Sequence, residues 1–328
     1  MKRVFLLGAT GTIGRATLRA LLEGGHEVVC FVRQPAAGSD AARSDIAPDP
    51  FVRAEVRYGD VTRAQSLAED GFRGERFDAV ISCMASRSGS PEDAWAIDYE
   101  AHKLTLAAAR SAGVPHFIVL SAICVQKPRI AFQHAKLAFE KALVGSGLIY
   151  SIVRPTAYFK SLSGQVERVR KGKSFLLFGD GTLTACKPIS DDDLGRYLAE
   201  CLTDAQRHDR ILPIGGPGNP ITPKQQGERL FALAGREPKY THVPVRFLDA
   251  IIAMLAAAGW LIPAARRKAE LARIGRYYAT ESMLVWDADK GRYDAAATPS
   301  SGTETLFDYY AALISGETGP ERGDHTVF

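Results

Sequence analysis

Short apolar runs alternate with amphipathic stretches through the first half of the chain, and the alternation predicts strand, helix, strand. Arg3-Val4-Phe5-Leu6-Leu7 and Val28-Val29-Cys30-Phe31-Val32 are of strand length, with the β-branched and aromatic content of strands buried on both faces. Between them, Ile13, Leu18, Leu21 and Leu22 recur at helical spacing up to Glu23, and Gly24-Gly25 supplies a stop. Further strands are predicted from Ala54 to Tyr58, Phe77 to Met84, His116 to Ser121 and Leu148 to Val153. Helices are predicted from Thr62 onward, from Trp95 to Ala112 and from Ile130 to Val144. Strand and helix repeated in this way specify an α/β fold, a Rossmann-type doubly wound parallel sheet with right-handed crossovers.

After Arg154 the period breaks. A strand from Phe175 to Phe178 runs into the turn Gly179-Asp180-Gly181, a helix follows from Asp191 to Leu202, and a short strand from Ile211 to Ile214. Another helix runs from Pro223 to Ala234, and Gly316 to Asp324 has the composition of a mobile tail. The expected organisation is a Rossmann domain over 1–155, with 190–215 returning to it. A smaller mixed C-terminal substrate lobe takes 156–189 and 216–328. The loop between the second and third strands, Gln34 to Pro50, is rich in Ala, Asp, Ser and Pro.

The chemistry begins at Gly8-Ala9-Thr10-Gly11-Thr12-Ile13-Gly14, set between the first strand and the first helix. Gly8, Gly11 and Gly14 in that place allow a tight turn, a close backbone approach to a pyrophosphate, and close packing of helix on strand. The first-turn amides and the positive end of the helix then face the phosphates. Arg33 stands at the end of the second strand, where an NAD site places a carboxylate for the ribose 2′-hydroxyl. A guanidinium there suits the 2′-phosphate of NADPH. Asp60, after the third strand, is a candidate beside the adenine or else a helix cap. Cys83, ending the fourth strand, should pass close to the cofactor, since ligands bind at the carboxyl ends of parallel strands.

Charge and composition narrow the field. A net charge of +4 over 328 residues makes no case for nucleic acid as a partner. A strand that begins at the second residue leads us to expect no signal or transit peptide. The five cysteines are scattered, with no metal spacing, so no metal site and a reducing cytoplasm are expected. Phe247 to Pro263 is largely apolar but short of the ~20 residues of a bilayer span. A buried helix is the expectation there, with a surface-lying membrane or ligand-cover helix as the alternative.

The glycine spacing resembles that of the extended and atypical short-chain dehydrogenase/reductases. Ordinary members use Ser at the end of the fifth strand and Tyr-x-x-x-Lys on the next helix, the Tyr as proton donor and the Lys on the nicotinamide ribose. This chain has Ser121 and Phe132-Gln133-His134-Ala135-Lys136: the Lys is present and the Tyr is Phe132. A phenyl ring transfers no proton, so alcohol–ketone interconversion and sugar-nucleotide epimerisation have lost their acid. Two readings survive: a non-catalytic NADPH-binding sensor or assembly protein, or a reductase of a conjugated carbon–carbon bond.

A closer resemblance favours the second, with the first and a reductase of another conjugated substrate kept as alternatives. Ser121 to Pro128, Tyr150 to Leu162, Phe178-Gly179-Asp180-Gly181, Ala185 to Ser190, Leu212 to Gly218, Ile274 to Met283 and Thr326-Val327-Phe328 resemble the divinyl chlorophyllide a 8-vinyl reductase family. The resemblance implies an oxidoreductase of (bacterio)chlorophyll biosynthesis that uses NADPH to turn the 8-vinyl group of a divinyl magnesium tetrapyrrole into ethyl. Plastid members carry a transit peptide, so a bacterial, cytoplasmic enzyme of photosynthesis is implied, with peripheral contact to the photosynthetic membrane as an option. The cofactor set it implies is Gly8, Thr10, Gly11, Thr12, Ile13, Gly14, Arg33, Asp60, Val61, Cys83, Ser121, Lys136 and Pro155. Lys136 and Tyr158 are the catalytic candidates, with His134, Tyr278 and water as other donors. Phe132, Tyr158, Phe159, Lys160, Tyr277 and Tyr278 are the substrate candidates. Phe175, Phe178 and Trp260 could add aromatic area, and Lys160, Lys187 and Arg276 could meet the propionate.

Overall fold

The apolar runs assemble into one seven-stranded sheet in which every neighbouring pair is parallel. The computed structural model describes residues 1–34, 50–260 and 262–317. Nearly all of the loop expected from Gln34 to Pro50, most of the expected tail, and Thr326-Val327-Phe328 lie outside the described residues. In chain order the strands are β1 (Arg3–Leu7), β2 (Glu27–Val32), β3 (Glu55–Tyr58), β4 (Ala79–Ser82), β5 (His116–Leu120), β6 (Ile149–Pro155), β7 (Phe175–Phe178) and β8 (Arg210–Ile214). Their order across the sheet is β3-β2-β1-β4-β5-β6-β8. The direction of winding reverses between β1 and β4, which opens a crevice at the carboxyl ends of those two strands.

Both sheet faces are covered, which is why the strands are apolar throughout rather than alternating. Val4 and Leu6 face one way, against Leu18 and Leu21 of α1 (Thr12–Glu23). Phe5 and Leu7 face the other, against Leu106 of α2 (His102–Ser111) and Phe139 and Leu143 of α3 (Ala131–Val144). Leu194 and Leu198 of α4 (Asp191–Glu200) join α1, and β8 extends the sheet beyond β6. The helix expected from Trp95 starts at Pro91 and runs over Ala94–Ala101 in the wide π form before α2. Such widened turns are frequent at functional sites, and this one carries Asp98.

The C-terminal part adds α5 (Pro223–Leu233), β9 (Tyr240–Val243), α6 (Val245–Ala258), α7 (Pro263–Thr280), the pair β10 (Val285–Asp287) and β11 (Arg292–Asp294), and α8 (Leu306–Ser315). β7 and β9 pair in parallel, β10 and β11 antiparallel, so this lobe is mixed. Its core gathers Phe159, Phe175, Leu177, Phe231, Leu306 and Tyr310. A further cluster of Ile123, Cys124, Ile130, Cys186, Tyr277 and Met283 ties the segment after β5 to α7.

The apolar stretch from Phe247 corrects its reading as a buried helix. No residue of α6 is buried, and Phe247 is 58%, Met254 65% and Trp260 94% exposed. The reason is the number of neighbours. α6 packs along α7 as an antiparallel hairpin and along no other element to a comparable extent, so one side of it stays uncovered.

Candidate functional site

The turn after β1 is closed by backbone, and its glycines are dictated by space. Gly8 has φ +73°, and a Cβ on it would lie 2.6 Å from the Cys83 carbonyl carbon. A Cβ on Gly14 would lie 2.0 Å from the Gly8 oxygen, so any side chain there pushes α1 off β1. At Gly11 a Cβ would meet only the Gly8 oxygen, at 3.4 Å: its outer side is open. Arg15 N–H donates to the Gly11 oxygen (2.9 Å) as the first bond of α1. The amides of Thr12, Ile13 and Gly14 therefore stand ahead of the helical ladder, with no side-chain cap and no acid in the first turn.

Lys160 completes this cradle. Its Nζ donates to Thr12 Oγ1 at 3.0 Å, which brings an ammonium to the helix end from 148 positions away. Three open amides, a positive dipole end and a cation fit a pyrophosphate. Lys160, by sequence a candidate for the substrate carboxylate, has this contact at the glycine turn.

At the adenosine end Arg33 is exposed just past β2. Asp60 Oδ1 accepts from the Thr62 hydroxyl (2.6 Å) and amide (2.9 Å). Those bonds hold its carboxyl below the usual range, and the charge of Arg33 adds to the effect. Val61, half-buried, packs against the cluster under β1 and β2.

Two ionic networks that no sequence pattern announced lie near the carboxyl ends of β4 and β5. Lys136 Nζ lies 3.1 Å from Asp98 Oδ1, with the carboxylate side chain only 1% exposed. Asp98 Oδ2 also accepts from Ser86 Oγ at 2.7 Å. Beside it, Ser121 Oγ donates to Glu140 Oε1 (2.5 Å), and Glu140 pairs with Arg154. The Ser121 hydroxyl is thus turned toward Glu140. Two features could have pointed here: Asp98 follows the apolar run Ala94-Trp95-Ala96-Ile97 in a helical stretch, and Glu140 lies one turn after Lys136 on the same helix face. His102 Nδ1 meets the Ile97 carbonyl at 2.8 Å, which can only accept, so Nε2 receives the Ser82 hydroxyl proton at 2.9 Å. Burial lowers the His102 pKa to about 4.

The tyrosines separate by their hydroxyls. Tyr277 is buried, and its hydroxyl lies 2.8 Å from the Cys124 oxygen and 3.1 Å from that of Lys127, so it anchors α7. Tyr278, its neighbour, reaches only Cys124 Sγ, at 3.9 Å. Tyr158 makes no hydrogen bond among the described residues. Burial pushes the Tyr158 and Tyr278 hydroxyls well above the ordinary phenol value, with the nearby thiol of Cys124 adding to the effect in both. Cys83 approaches the same place, its thiol pushed up to about 12 by burial. Phe132 packs against the cluster that holds Cys124 and Tyr277.

Other candidates are engaged elsewhere. Phe159 and Phe175 belong to the lobe core, and Pro155 ends β6, paired with Ile214. Lys187 Nζ donates to the Thr298 oxygen at 2.8 Å, Arg276 pairs with Asp249, and His134 is exposed. All five cysteines are free, and among the described residues no side-chain cluster could hold a metal ion.

Comparison with known proteins bears on the fold and the cofactor. A family model described as NAD(P)H-binding matches residues 8–205. A protein of Oryza sativa subsp. indica, called divinyl chlorophyllide a 8-vinyl-reductase, chloroplastic, is 46% identical over 99% of this chain and 82% of its own length. Its Arabidopsis thaliana counterpart, of the same name, is 44% identical over 98% of this chain and 79% of its own length. Among solved structures, the leucoanthocyanidin reductase–NADPH complex from Vitis vinifera superposes with a TM-score of 0.68 at 15% identity, covering 95% of this chain and 99% of that one.

Proposed function

This chain belongs to the family of divinyl chlorophyllide a 8-vinyl-reductases, and from that premise we propose that it reduces the 8-vinyl group of a divinyl magnesium chlorophyllide to ethyl. Phe132 carries the chemical side of the proposal. It stands one helical turn before Lys136, packed among apolar side chains, where reductases of oxygen functions keep a tyrosine acid. A conjugated alkene needs no acid at that place, because the adjoining ring system spreads the negative charge. When bound, NADPH would supply the hydride, for which the outer vinyl carbon is the acceptor while the macrocycle spreads the electron pair.

The chain's own residues do the rest. The open amides of Thr12, Ile13 and Gly14, with Lys160, hold the pyrophosphate, and Arg33 holds the 2′-phosphate. Asp98 fixes the Lys136 ammonium, which reaches the nicotinamide ribose. Tyr158 Oη gives its proton to the inner vinyl carbon; with its pKa raised it stays protonated through the physiological range. Tyr278 and Phe132 line the ring, while Tyr277 and Phe159 support them from behind. Residues 156–189 and 216–317 form the lobe that covers the pigment.

An anaerobic assay with NADPH and divinyl chlorophyllide a tests the reaction: loss of one conjugated double bond shifts the Soret band to the blue. NADPH binding with no shift would leave a cofactor-binding protein without this catalysis. Replacing Tyr158 by Phe should lower kcat roughly 10²–10⁴-fold, the usual share of a general acid, with NADPH affinity unchanged. Unchanged turnover passes the proton to Tyr278 or water.

A further inference from the structure

We propose that the outer face of α6, together with the tip that joins it to α7, docks on an anionic lipid bilayer and lies in its surface without crossing it. The helix is apolar on both sides. Leu248, Ile251, Ile252 and Leu255 are half-buried, while Phe247, Ala250, Met254 and Ala257 face out at spacings of three and four. Trp260, at the tip, is 94% exposed, and Ile262 beside it 54%. An exposed stripe of this kind, ended by a tryptophan, has the form of an interfacial helix. At 14 residues α6 spans roughly 21 Å, and among the described residues no helix is long and apolar enough to cross a membrane.

Charge selects the occupant. Across 245–280 the hairpin carries six basic side chains against two carboxylates, an excess as large as the +4 of the whole chain. Both carboxylates already face a cation, Asp249 with Arg276 and Glu270 with Arg273. Arg267 and Lys268, exposed one turn beyond the tip, have no carboxylate partner among the described residues, and Arg246 starts α6 in the same condition. An apolar stripe with unpaired cations beside its tip matches acyl chains under anionic headgroups. It matches a second copy of this chain poorly, since that face would bring like charge to like. The inference is independent of the reaction, although α7 carries Tyr278 on the site side, so docking would hold the site near the lipid surface.

Co-sedimentation of the full chain with vesicles of phosphatidylcholine, with and without one third phosphatidylglycerol, tests it. Binding is expected only with the anionic lipid and should weaken as salt screens the headgroups. Arg267→Gln/Lys268→Gln should lower the affinity about fivefold per charge, the equivalent of ~1 kcal/mol each. Phe247→Ser/Met254→Ser should abolish binding, with NADPH affinity and circular dichroism unchanged as the check on folding. No sedimentation of the wild type, equal binding to neutral vesicles, or variants that bind like the wild type would each overturn the proposal. So would a dimer in light scattering that Phe247→Ser/Met254→Ser dissociates while the wild type ignores vesicles, which would assign the face to a second copy.

Discussion

β1, at the head of the sheet, and α6 are both largely apolar runs, yet one is hidden and the other displayed. Phe5, in β1, is wholly buried between Phe31, Phe72 and Phe77; Phe247, in α6, is 58% exposed. β1 has a strand on each side and a helix layer on each face, whereas α6 has one helical neighbour. Hydrophobicity measures what the chain gains by leaving water; neighbours decide whether it can. A run that stays exposed despite that gain is where a partner should be sought.

That contrast can be broken at several points. Phe5→Ala should cost ~3–5 kcal/mol, the range for emptying a close-packed site, seen as a large drop in the denaturation midpoint. A cost under ~1 kcal/mol would mean the sheet face is loosely packed. Asp98→Asn leaves the Lys136 ammonium without its carboxylate in a buried place, worth ~3–5 kcal/mol. Much of that loss should return in Asp98→Asn/Lys136→Met, compared by thermal unfolding.

The hidden side also carries a pH dependence. Burial lowers the His102 pKa from its ordinary 6.5 to about 4 in the folded chain. Between those values the unfolded chain binds the proton and the folded chain does not, so stability is lost as pH falls from 6.5 to 4. The effect is on the order of 3 kcal/mol, and the difference between wild type and His102→Gln across that window measures it. Arg33→Ala should shift the preference from NADPH toward NADH roughly tenfold to a hundredfold, as expected for one charge-assisted contact of ~1.5–3 kcal/mol; titrating both nucleotides reads the ratio. Phe247→Ala should move stability by less than ~0.5 kcal/mol. If it costs as much as Phe5→Ala, the face is covered in solution.

The candidate residues legible in the sequence are those whose neighbours are local. Gly8 to Gly14 occupy one turn, Arg33 ends the strand that pairs with β1, and Phe132 and Lys136 are one helical turn apart. Asp98 and Glu140 were missed because each acts through partners on other segments, Asp98 with Lys136 and Ser86, Glu140 with Ser121 and Arg154. Tyr277 and Tyr278 were indistinguishable as letters. Only the direction of each side chain from α7 makes one an anchor to the Cys124 carbonyl and leaves the other beside its thiol.

By itself the sequence determined the parallel sheet, the glycine turn after β1, the cofactor and the family, since strand length, apolar period and glycine spacing are properties of neighbours along the chain. Tertiary structure alone decided that Lys160 attends the glycine turn, that Asp98 holds Lys136, and that α6 lies open to solvent. Those facts depend on which distant segments meet. A side chain's charge or hydrophobicity states what it needs, while the packing of the whole chain determines which of those needs are met.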